Sequence, residues 1–172
     1  MGGSISAESQ LGEGTAFTFQ LPFLLDKNAA AKPQLKPTDN GRLDGMHILL
    51  VEDNDINMEV AEFQLTRQGA AVDKAWNGRE AVERFAASAP GGYQAILMDV
   101  MMPVMNGFEA SRAIRALDRP DAATVPILAM TAQASDECAQ SCHQVGMNGR
   151  LVKPLDAKKL AKSIREAVQN KQ

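Results

Sequence analysis

Residues 93–99 read YQAILMD, a short apolar run that ends on a carboxylate. Four similar runs flank it: HILLV at 47–51, AAVDKA at 70–75, VPILAM at 125–130 and NGRLVK at 148–153. A stretch with helical periodicity, roughly ten to fifteen residues long, follows each run. Strict alternation of strand and helix predicts parallel strands with helices on both faces of the sheet. We therefore expect an α/β fold, a flavodoxin-like doubly wound (βα)5 domain with a five-stranded parallel sheet.

Two helix starts support this interpretation. Asn77-Gly78-Arg79-Glu80 and Asn106-Gly107-Phe108-Glu109 each place a capping residue three positions before a glutamate. Such a pair satisfies free backbone N–H groups at the first turn of a helix.

The chain has three unequal parts. Residues 1–25 alternate apolar and polar at Ile5, Ala7, Phe17, Phe19 and Leu21 around a glycine-rich break, which predicts a hairpin. Residues 26–45 contain two prolines, two glycines and scattered charges, a composition typical of a linker. The α/β domain is predicted over 46–172.

Composition argues against several functions. Hydrophobic residues make up 45% and charged residues 23%, so the chain should fold. A net charge of −3 offers no broad cationic surface for nucleic acid. No membrane helix or secretory signal is found, so a cytoplasmic location is expected. Cys138 and Cys142, with His143 beside them, are interpreted as free thiols, because no second Cys or His pair exists elsewhere in the sequence.

The residues at the ends of the runs carry the chemistry, because ligands of such sheets bind beyond the carboxyl ends of the strands. The first run ends at Glu52 and Asp53, the third at Asp99, the fourth at Thr131 and the fifth at Lys153. Three carboxylates, a hydroxyl and an ammonium should therefore meet at one edge of the sheet.

Crowded carboxylates require a cation, and oxygen ligands with short loops favour Mg²⁺. Asp99 would attack phosphorus, Lys153 would bind phosphoryl oxygens, and the Thr131 hydroxyl would donate to one of them. The neighbouring methionines are interpreted as packing residues of core and loop and not as soft-metal ligands; they are Met98, Met101, Met102 and Met105.

Over about Met46 to Asn170 the chain resembles the receiver domains of two-component response regulators. The motifs are ILLVEDND at 48–55, ILMDVMMPVMNG at 96–107, PILAMTA at 126–132 and GRLVKP at 149–154. The resemblance implies that Asp99 is the phosphoacceptor and that Asp53 and Asp99 hold Mg²⁺. The backbone carbonyl of Met101 and, through water, Glu52 would complete the metal site. Thr131 and Lys153 would contact the phosphoryl group.

Two further features lie in the GRLVKP motif at 149–154. The resemblance implies a cis peptide bond between Lys153 and Pro154. The family commonly has an aromatic ring three residues before the lysine, and here that position is Arg150. We expect this departure to alter signalling output and not phosphorylation.

The N-terminal piece is similar to the last segment of the histidine-kinase ATPase domain, with Gly12, Gly14 and Thr15 matching its final nucleotide-loop motif. The upstream motifs of that domain are missing from the sequence, so ATP binding is not expected. A plain surface hairpin is the alternative. Together with the receiver, the piece suggests the tail of a hybrid sensor histidine kinase that is itself membrane-anchored.

The leading hypothesis is a phosphorelay receiver that takes a phosphoryl group from a kinase histidine onto Asp99 and passes it to a histidine phosphotransfer protein. A weak homodimer is kept open. The chain would catalyse its own phosphorylation and dephosphorylation without containing a complete kinase domain. Phosphorylation should order Thr131 and the following loop, and so alter the surface of the helix starting near Ser135 and of the last strand and helix.

Three alternatives are weighed against it. A docking module with a decayed site would lack an acidic-pair residue, Thr131 or Lys153, and none of these is missing. A phosphatase of the haloacid-dehalogenase type would need a second Asp two residues after Asp99, where Met101 stands. Flavin binding would need a Ser/Thr/Gly-rich phosphate loop after the first strand, which is not found there.

Overall fold

The computed structural model describes residues 2–10, 12, 14–20, 22, 42–132 and 136–170. The chain divides into two units, Met1–Lys36 and Pro37–Gln172. The first unit contains a hairpin and the second contains the α/β domain, and each is described by itself.

The N-terminal hairpin pairs β1 (Ser4–Gln10) with β2 (Gly14–Gln20) in antiparallel register. Ile5 lies opposite Phe19 and Ala7 opposite Phe17, so one face of the hairpin is apolar. The predicted hairpin is confirmed, although Leu21 lies outside the described residues.

The α/β unit contains five strands and five helices in strict alternation. They are β3 (His47–Val51), α1 (Asp55–Arg67), β4 (Ala71–Ala75), α2 (Gly78–Ala87), β5 (Ala95–Asp99), α3 (Gly107–Arg115), β6 (Ile127–Thr131), α4 (Asp136–Gln144), β7 (Gly149–Val152) and α5 (Ala157–Gln169). All four strand pairings are parallel, and the strand order is β4-β3-β5-β6-β7. This is the flavodoxin-like order, which confirms the predicted fold.

The core forms two layers, one on each face of the sheet. Alternate residues of a strand point to opposite faces, so Leu49 and Leu50 belong to different clusters. One cluster lies under α2 and α3 and the other under α1 and α5; their large members include Leu49, Phe85, Met98, Ile114 and Ile127 on the first side and Leu50, Met58, Leu65, Leu97 and Ile164 on the second. Each such buried side chain contributes about 1.5–3 kcal/mol.

Both predicted helix starts are present. At Asn106 the capping box is reciprocal, because the Asn106 side chain accepts from the Glu109 N–H at 2.9 Å while the Glu109 carboxylate accepts from the Asn106 N–H at 3.1 Å. At Asn77 the side chain accepts from the Glu80 N–H, but the Glu80 carboxylate accepts from the N–H one residue earlier, that of Trp76.

The α/β unit extends at least to Leu43, which falls in the stretch predicted as linker. Leu43 is fully buried in the cluster under α1 and α5, and its N–H donates to the Gln68 carbonyl. The linker residues 26–41 lie outside the described residues. Where the structure describes the chain, it contains no helix with the length and apolarity needed to cross a membrane.

Candidate functional site

Three carboxylates meet where β3 and β5 end, because the two strands are parallel neighbours. Val51 pairs with Met98, so the next residues of the two segments, Glu52 and Asp99, lie side by side at this edge. One carboxylate oxygen from each of Glu52, Asp53 and Asp99 lies within 4.8 Å of the other two. The predicted crowding of negative charge at this edge is thus confirmed.

The three carboxylates differ in exposure. Glu52 is 2% exposed and Asp99 is 6% exposed, whereas Asp53 faces solvent. A buried carboxylate is costly unless hydrogen bonds and opposite charge offset its loss of water. The two buried groups therefore need partners, and Asp53 is the carboxylate open to an incoming ion.

Lys153 supplies the opposite charge. Its Nζ donates to Glu52 Oε2 at 2.6 Å and to Asp99 Oδ2 at 2.8 Å. The backbone brings it there, because the Lys153 N–H donates to the Thr131 carbonyl at 2.8 Å at the end of the β6–β7 pair. The Lys153–Pro154 peptide bond is cis, as the sequence motif predicts.

The remaining oxygens of the two buried carboxylates accept from neutral groups. Asn57 Nδ2 donates to Glu52 Oε1 at 2.9 Å, and the Met101 N–H donates to Asp99 Oδ1 at 3.2 Å. Within the described residues, the Asp53 carboxylate accepts no hydrogen bond. Glu52 and Asp99 are thus held in place at both oxygens, while Asp53 is not.

The electrostatics of the site reflect its excess of negative charge. Burial raises the pKa of Glu52, and the nearby Asp99 adds to the rise, although Lys153 and Asn57 act against it. For Lys153 burial favours the neutral amine, but hydrogen bonds to Asp99 and Glu52 outweigh it and raise its pKa. The ammonium stays charged at neutral pH, and one ammonium faces three carboxylates.

A glycine allows the loop after Asp99 to fold back over the strand end. A Cβ on Gly107 would lie 2.2 Å from the Asp99 carbonyl oxygen, and the Gly107 N–H donates to the Val100 carbonyl at 3.0 Å. Met98 on β5 and Met102 in the loop are buried, Met105 packs partly buried against the core, and Met101 is 78% exposed. The interpretation of these methionines as core and loop residues agrees with this placement.

The donor set fits Mg²⁺. Carboxylate oxygens are the ligands of hard cations, and a site with few protein ligands leaves room for the waters that Mg²⁺ retains. Within the described residues, Glu52, Asp53 and Asp99 form the one group of three or more candidate metal ligands with this proximity.

A family comparison agrees with this geometry. Residues 48–165 match the model of the response regulator receiver domain, which covers more than half of the chain. The chain belongs to the response regulator receiver domain family. The match begins in β3 and ends in α5, so it takes in every residue of the site.

Relatives of this receiver include large histidine kinases. Probable histidine kinase 2 of Oryza sativa subsp. indica is 34% identical over 141 residues, covering 76% of this chain and 14% of the kinase. Hybrid signal transduction histidine kinase B of Dictyostelium discoideum is 42% identical over 117 residues, covering 63% of this chain and 6% of the kinase. The chain therefore spans a small part of the curated relatives it matches. Receivers of this kind act in phosphorelay signal transduction.

Solved structures show the same fold. The receiver domain of the sensor histidine kinase PA1611 from Pseudomonas aeruginosa PAO1 is 37% identical, with a TM-score of 0.66 over 73% of this chain and 99% of that chain. Its crystal structure has a magnesium ion coordinated in the active site cleft. Chemotaxis protein CheY4 of Vibrio cholerae is 32% identical, with a TM-score of 0.65 over 71% of this chain and 98% of that chain.

Thr131 and Arg150, the other residues singled out in the receiver sequence, lie on β6 and β7. Thr131 is the last residue of β6, is 6% exposed and has its hydroxyl 3.8 Å from Cys138 Sγ on α4. Burial raises the pKa of the neighbouring Cys142 to about 11, so that thiol stays protonated at neutral pH. Arg150 lies on β7, three residues before Lys153, and is half-buried.

The sequence interpretation missed Asn57. The available signal was its position, four residues after Asp53 in the first turn of a helix whose N-cap is Asn54. That position turns an amide back toward the end of β3, where Glu52 lies.

Proposed function

We propose that Asp99 is the phosphoacceptor of this receiver and that it takes a phosphoryl group from a phosphohistidine. The observation that carries this proposal is the meeting of Asp99 with Glu52, Asp53 and Lys153 at one strand end. A buried carboxylate beside a lysine and two further acids is poorly suited to stability alone, but with a divalent cation bound among the acids it would suit attack on a phosphoryl group.

The chain's own residues perform the transfer as follows. An Asp99 oxygen attacks phosphorus, the new P–O bond forms, and the electron pair of the P–N bond leaves on the donor imidazole. Lys153 moves its ammonium from Asp99 to the phosphoryl oxygens, and Thr131 donates its hydroxyl to another of them. Magnesium, held by Asp53, Asp99 and the Met101 carbonyl with water-mediated help from Glu52, would offset the repulsion between carboxylate and phosphoryl group.

Intact-mass measurement tests the acceptor. Wild-type chain incubated with Mg²⁺ and a small acyl phosphate should gain the mass of one phosphoryl group, and Asp99→Asn should gain none. Asp118→Asn is the matched control, because Asp118 is an exposed aspartate after α3, outside the site. A wild-type chain that gains no mass with any acyl phosphate, or an Asp99→Asn variant that gains as much as wild type, would contradict the proposal.

An exposed apolar surface beside Asp53 supports a protein donor. We call it the apolar rim patch: Ile56, Val60 and Phe63 on α1, with Met101 and Val104 on the loop after Asp99. The α1 members recur at positions i, i+4 and i+7 on one helix face, and they are 71%, 49% and 60% exposed. Met101 and Val104 are 78% and 72% exposed.

Both parts of the patch begin close to the site in sequence, because Ile56 is three residues from Asp53 and Met101 is two from Asp99. We therefore propose that it seats the histidine-bearing helices of a kinase domain or of a histidine phosphotransfer protein. A histidine projecting from such a helix would then reach Asp99.

A comparison of two phosphoryl donors distinguishes an effect on docking from an effect on the transfer reaction. Phe63→Ser should slow transfer from a phosphorylated histidine phosphotransfer domain about tenfold, as expected for an interface anchor, and should leave phosphorylation by a small acyl phosphate unchanged. Val152→Ser is the control, since Val152 is an exposed apolar residue on β7 outside the patch. Equal slowing with both donors would place the effect in the site and remove the docking role.

Signal output is proposed to pass through Thr131. Movement of its hydroxyl toward the phosphoryl group would alter α4, whose Cys138 contacts that hydroxyl, and β7, since the N–H of Lys153, the residue after β7, donates to the Thr131 carbonyl. Ser135, where the sequence placed the start of α4, lies outside the described residues. A complex with a phosphate mimic should shift the amide NMR signals of α4, β7 and α5, and unmoved signals would contradict this route.

The longer protein is proposed to be a hybrid sensor histidine kinase that is membrane-anchored, with this receiver in the cytoplasm. Residues 1–25 would be the last segment of its ATPase domain, 26–45 the linker and 46–172 the receiver. The antiparallel hairpin and its glycines at positive φ, Gly12 at +87° and Gly14 at +105°, support the first assignment. Nucleic acid and membrane are not proposed as partners of this segment, and any homodimer would be weak.

A further inference from the structure

Glu52 is fixed by two donors that come from different segments, α1 and the residue that follows β7. Asn57 Nδ2 donates to Oε1 at 2.9 Å and Lys153 Nζ donates to Oε2 at 2.6 Å. Since Glu52 is 2% exposed, little water can replace either partner. Lys153 is shared with Asp99, so Asn57 is the donor that serves Glu52 alone.

The Asn57 side chain is not needed to start the helix. Asn54 is the N-cap of α1, and its side chain accepts from the Asn57 backbone N–H at 3.1 Å. The Asn57 side-chain amide therefore takes no part in capping the helix, and its Nδ2 donates to Glu52 instead. Asn57 itself is exposed, so packing does not explain its contact with a buried carboxylate.

We propose that Asn57 is a positioning residue for the metal-binding carboxylates, holding Glu52 so that Lys153 stays shared with Asp99 and Asp53 stays free for the ion. This inference rests on the proposed function of the site. In this role the neutral Asn57 amide holds the Glu52 carboxylate in place without adding charge to the site.

Loss of this donor has a defined consequence. A Glu52 carboxylate freed at Oε1 would turn both oxygens toward Lys153 and draw the ammonium away from Asp99. The cluster of acids would then be less well arranged for the ion. Removal of an outer partner of a metal ligand typically weakens metal binding 10–100-fold, about tenfold being expected for a neutral amide.

Asn57→Leu tests the role, because it removes the amide at an exposed helical position while keeping the side chain's size. Mg²⁺ binding is measured by calorimetry, and the rate of phosphorylation by a small acyl phosphate is measured across Mg²⁺ concentrations. We expect a Mg²⁺ midpoint about tenfold higher than wild type, with the rate at saturating Mg²⁺ close to wild type. Thr66→Ala on the same helix, whose hydroxyl bonds only α1 carbonyls, should leave both unchanged.

A second signature comes from NMR. The side-chain NH₂ signals of Asn57, assigned by their disappearance in Asn57→Leu, should shift when Mg²⁺ is added to wild type. Asn57→Ala repeats the test with a smaller side chain should Asn57→Leu unfold at a lower temperature than wild type.

Three results would overturn the inference: an unchanged Mg²⁺ midpoint in a folded variant, unmoved Asn57 signals, or a rate that stays low at saturating Mg²⁺. The proposed function fails in a different way, namely when wild type itself neither binds Mg²⁺ nor becomes phosphorylated.

Discussion

A cluster of charged residues is buried at each end of the parallel strands, one at their carboxyl ends and one at their amino ends. The two clusters balance their charges differently. The rim cluster, at the carboxyl ends of the strands, consists of Glu52, Asp99 and Lys153. The base cluster, at the amino ends, consists of Arg119 and Asp121, whose side chains are each 10% exposed. In the base cluster one cation meets one anion, whereas in the rim cluster one ammonium is shared between two buried acids, with Asp53 beside them.

The base cluster is closed and fully bonded. Arg119 donates to both Asp121 oxygens, at 2.6 and 3.0 Å, and the Gly91 N–H adds a third bond at 2.7 Å. Arg119 also donates to the Phe85 and Ser88 carbonyls. Hydrogen bonding to Arg119 is the main reason that the pKa of Asp121 falls to about 2.

The difference shows which cluster serves stability. At the base the charged form of the acid is favoured by folding, whereas at the rim burial raises the pKa of Glu52 despite its two donors. A protein accepts such a cost where a ligand later supplies the missing charge. We therefore assign the base to holding the fold together and the rim to function.

Arg119→Leu should produce the largest loss of stability. It leaves the Asp121 carboxylate buried without its cation and removes the bonds to the carbonyls at the end of α2, so the free energy of unfolding should fall by about 3–5 kcal/mol. Urea titration followed by circular dichroism measures it. Arg112→Leu is the control, since Arg112 is exposed and has no ion pair among the described residues; a loss as large in the control would mean that the base cluster contributes nothing specific.

The contribution of the Arg119–Asp121 pair to stability should also appear as a dependence on acidic pH. The folded pKa of Asp121, about 2, is below its ordinary value of 3.8, so the unfolded state binds the proton more readily. The resulting stabilisation, about 2 kcal/mol, is fully present above pH 4 and is lost as pH falls toward 2. Unfolding free energies measured across this range should fall less steeply for Asp121→Asn than for wild type, and identical slopes would refute the assignment.

At the rim cluster, removal of a charged group should raise the free energy of unfolding instead of lowering it. Asp99→Asn in metal-free buffer removes one of two buried acids that share Lys153, so it should raise the free energy of unfolding by about 1 kcal/mol. Thermal and urea unfolding measure the change, and Asp118→Asn should leave stability unaltered. A destabilised Asp99→Asn would mean that the rim is as well balanced as the base.

The two edges also differ in what the sequence could predict. Glu52, Asp99 and Lys153 were predictable because each follows an apolar run, and the carboxyl ends of parallel strands meet at one edge. The base cluster was not, because residues 118–121, DRPD, read as an ordinary charged loop. Its partner Gly91 is 30 residues from Asp121 in sequence. Asn57 escaped prediction for a similar reason, since its contact depends on how α1 leaves β3.

The central claim is that the excess negative charge at the rim serves a divalent ion and the phosphoryl group. Its most direct measurement is the free energy of unfolding of wild type and Asp99→Asn, each without and with saturating Mg²⁺. Wild type should be the less stable protein without Mg²⁺ and should gain more from the ion, so that the order of the two reverses. An order that stays the same, with equal gains from Mg²⁺ or none, would contradict the claim.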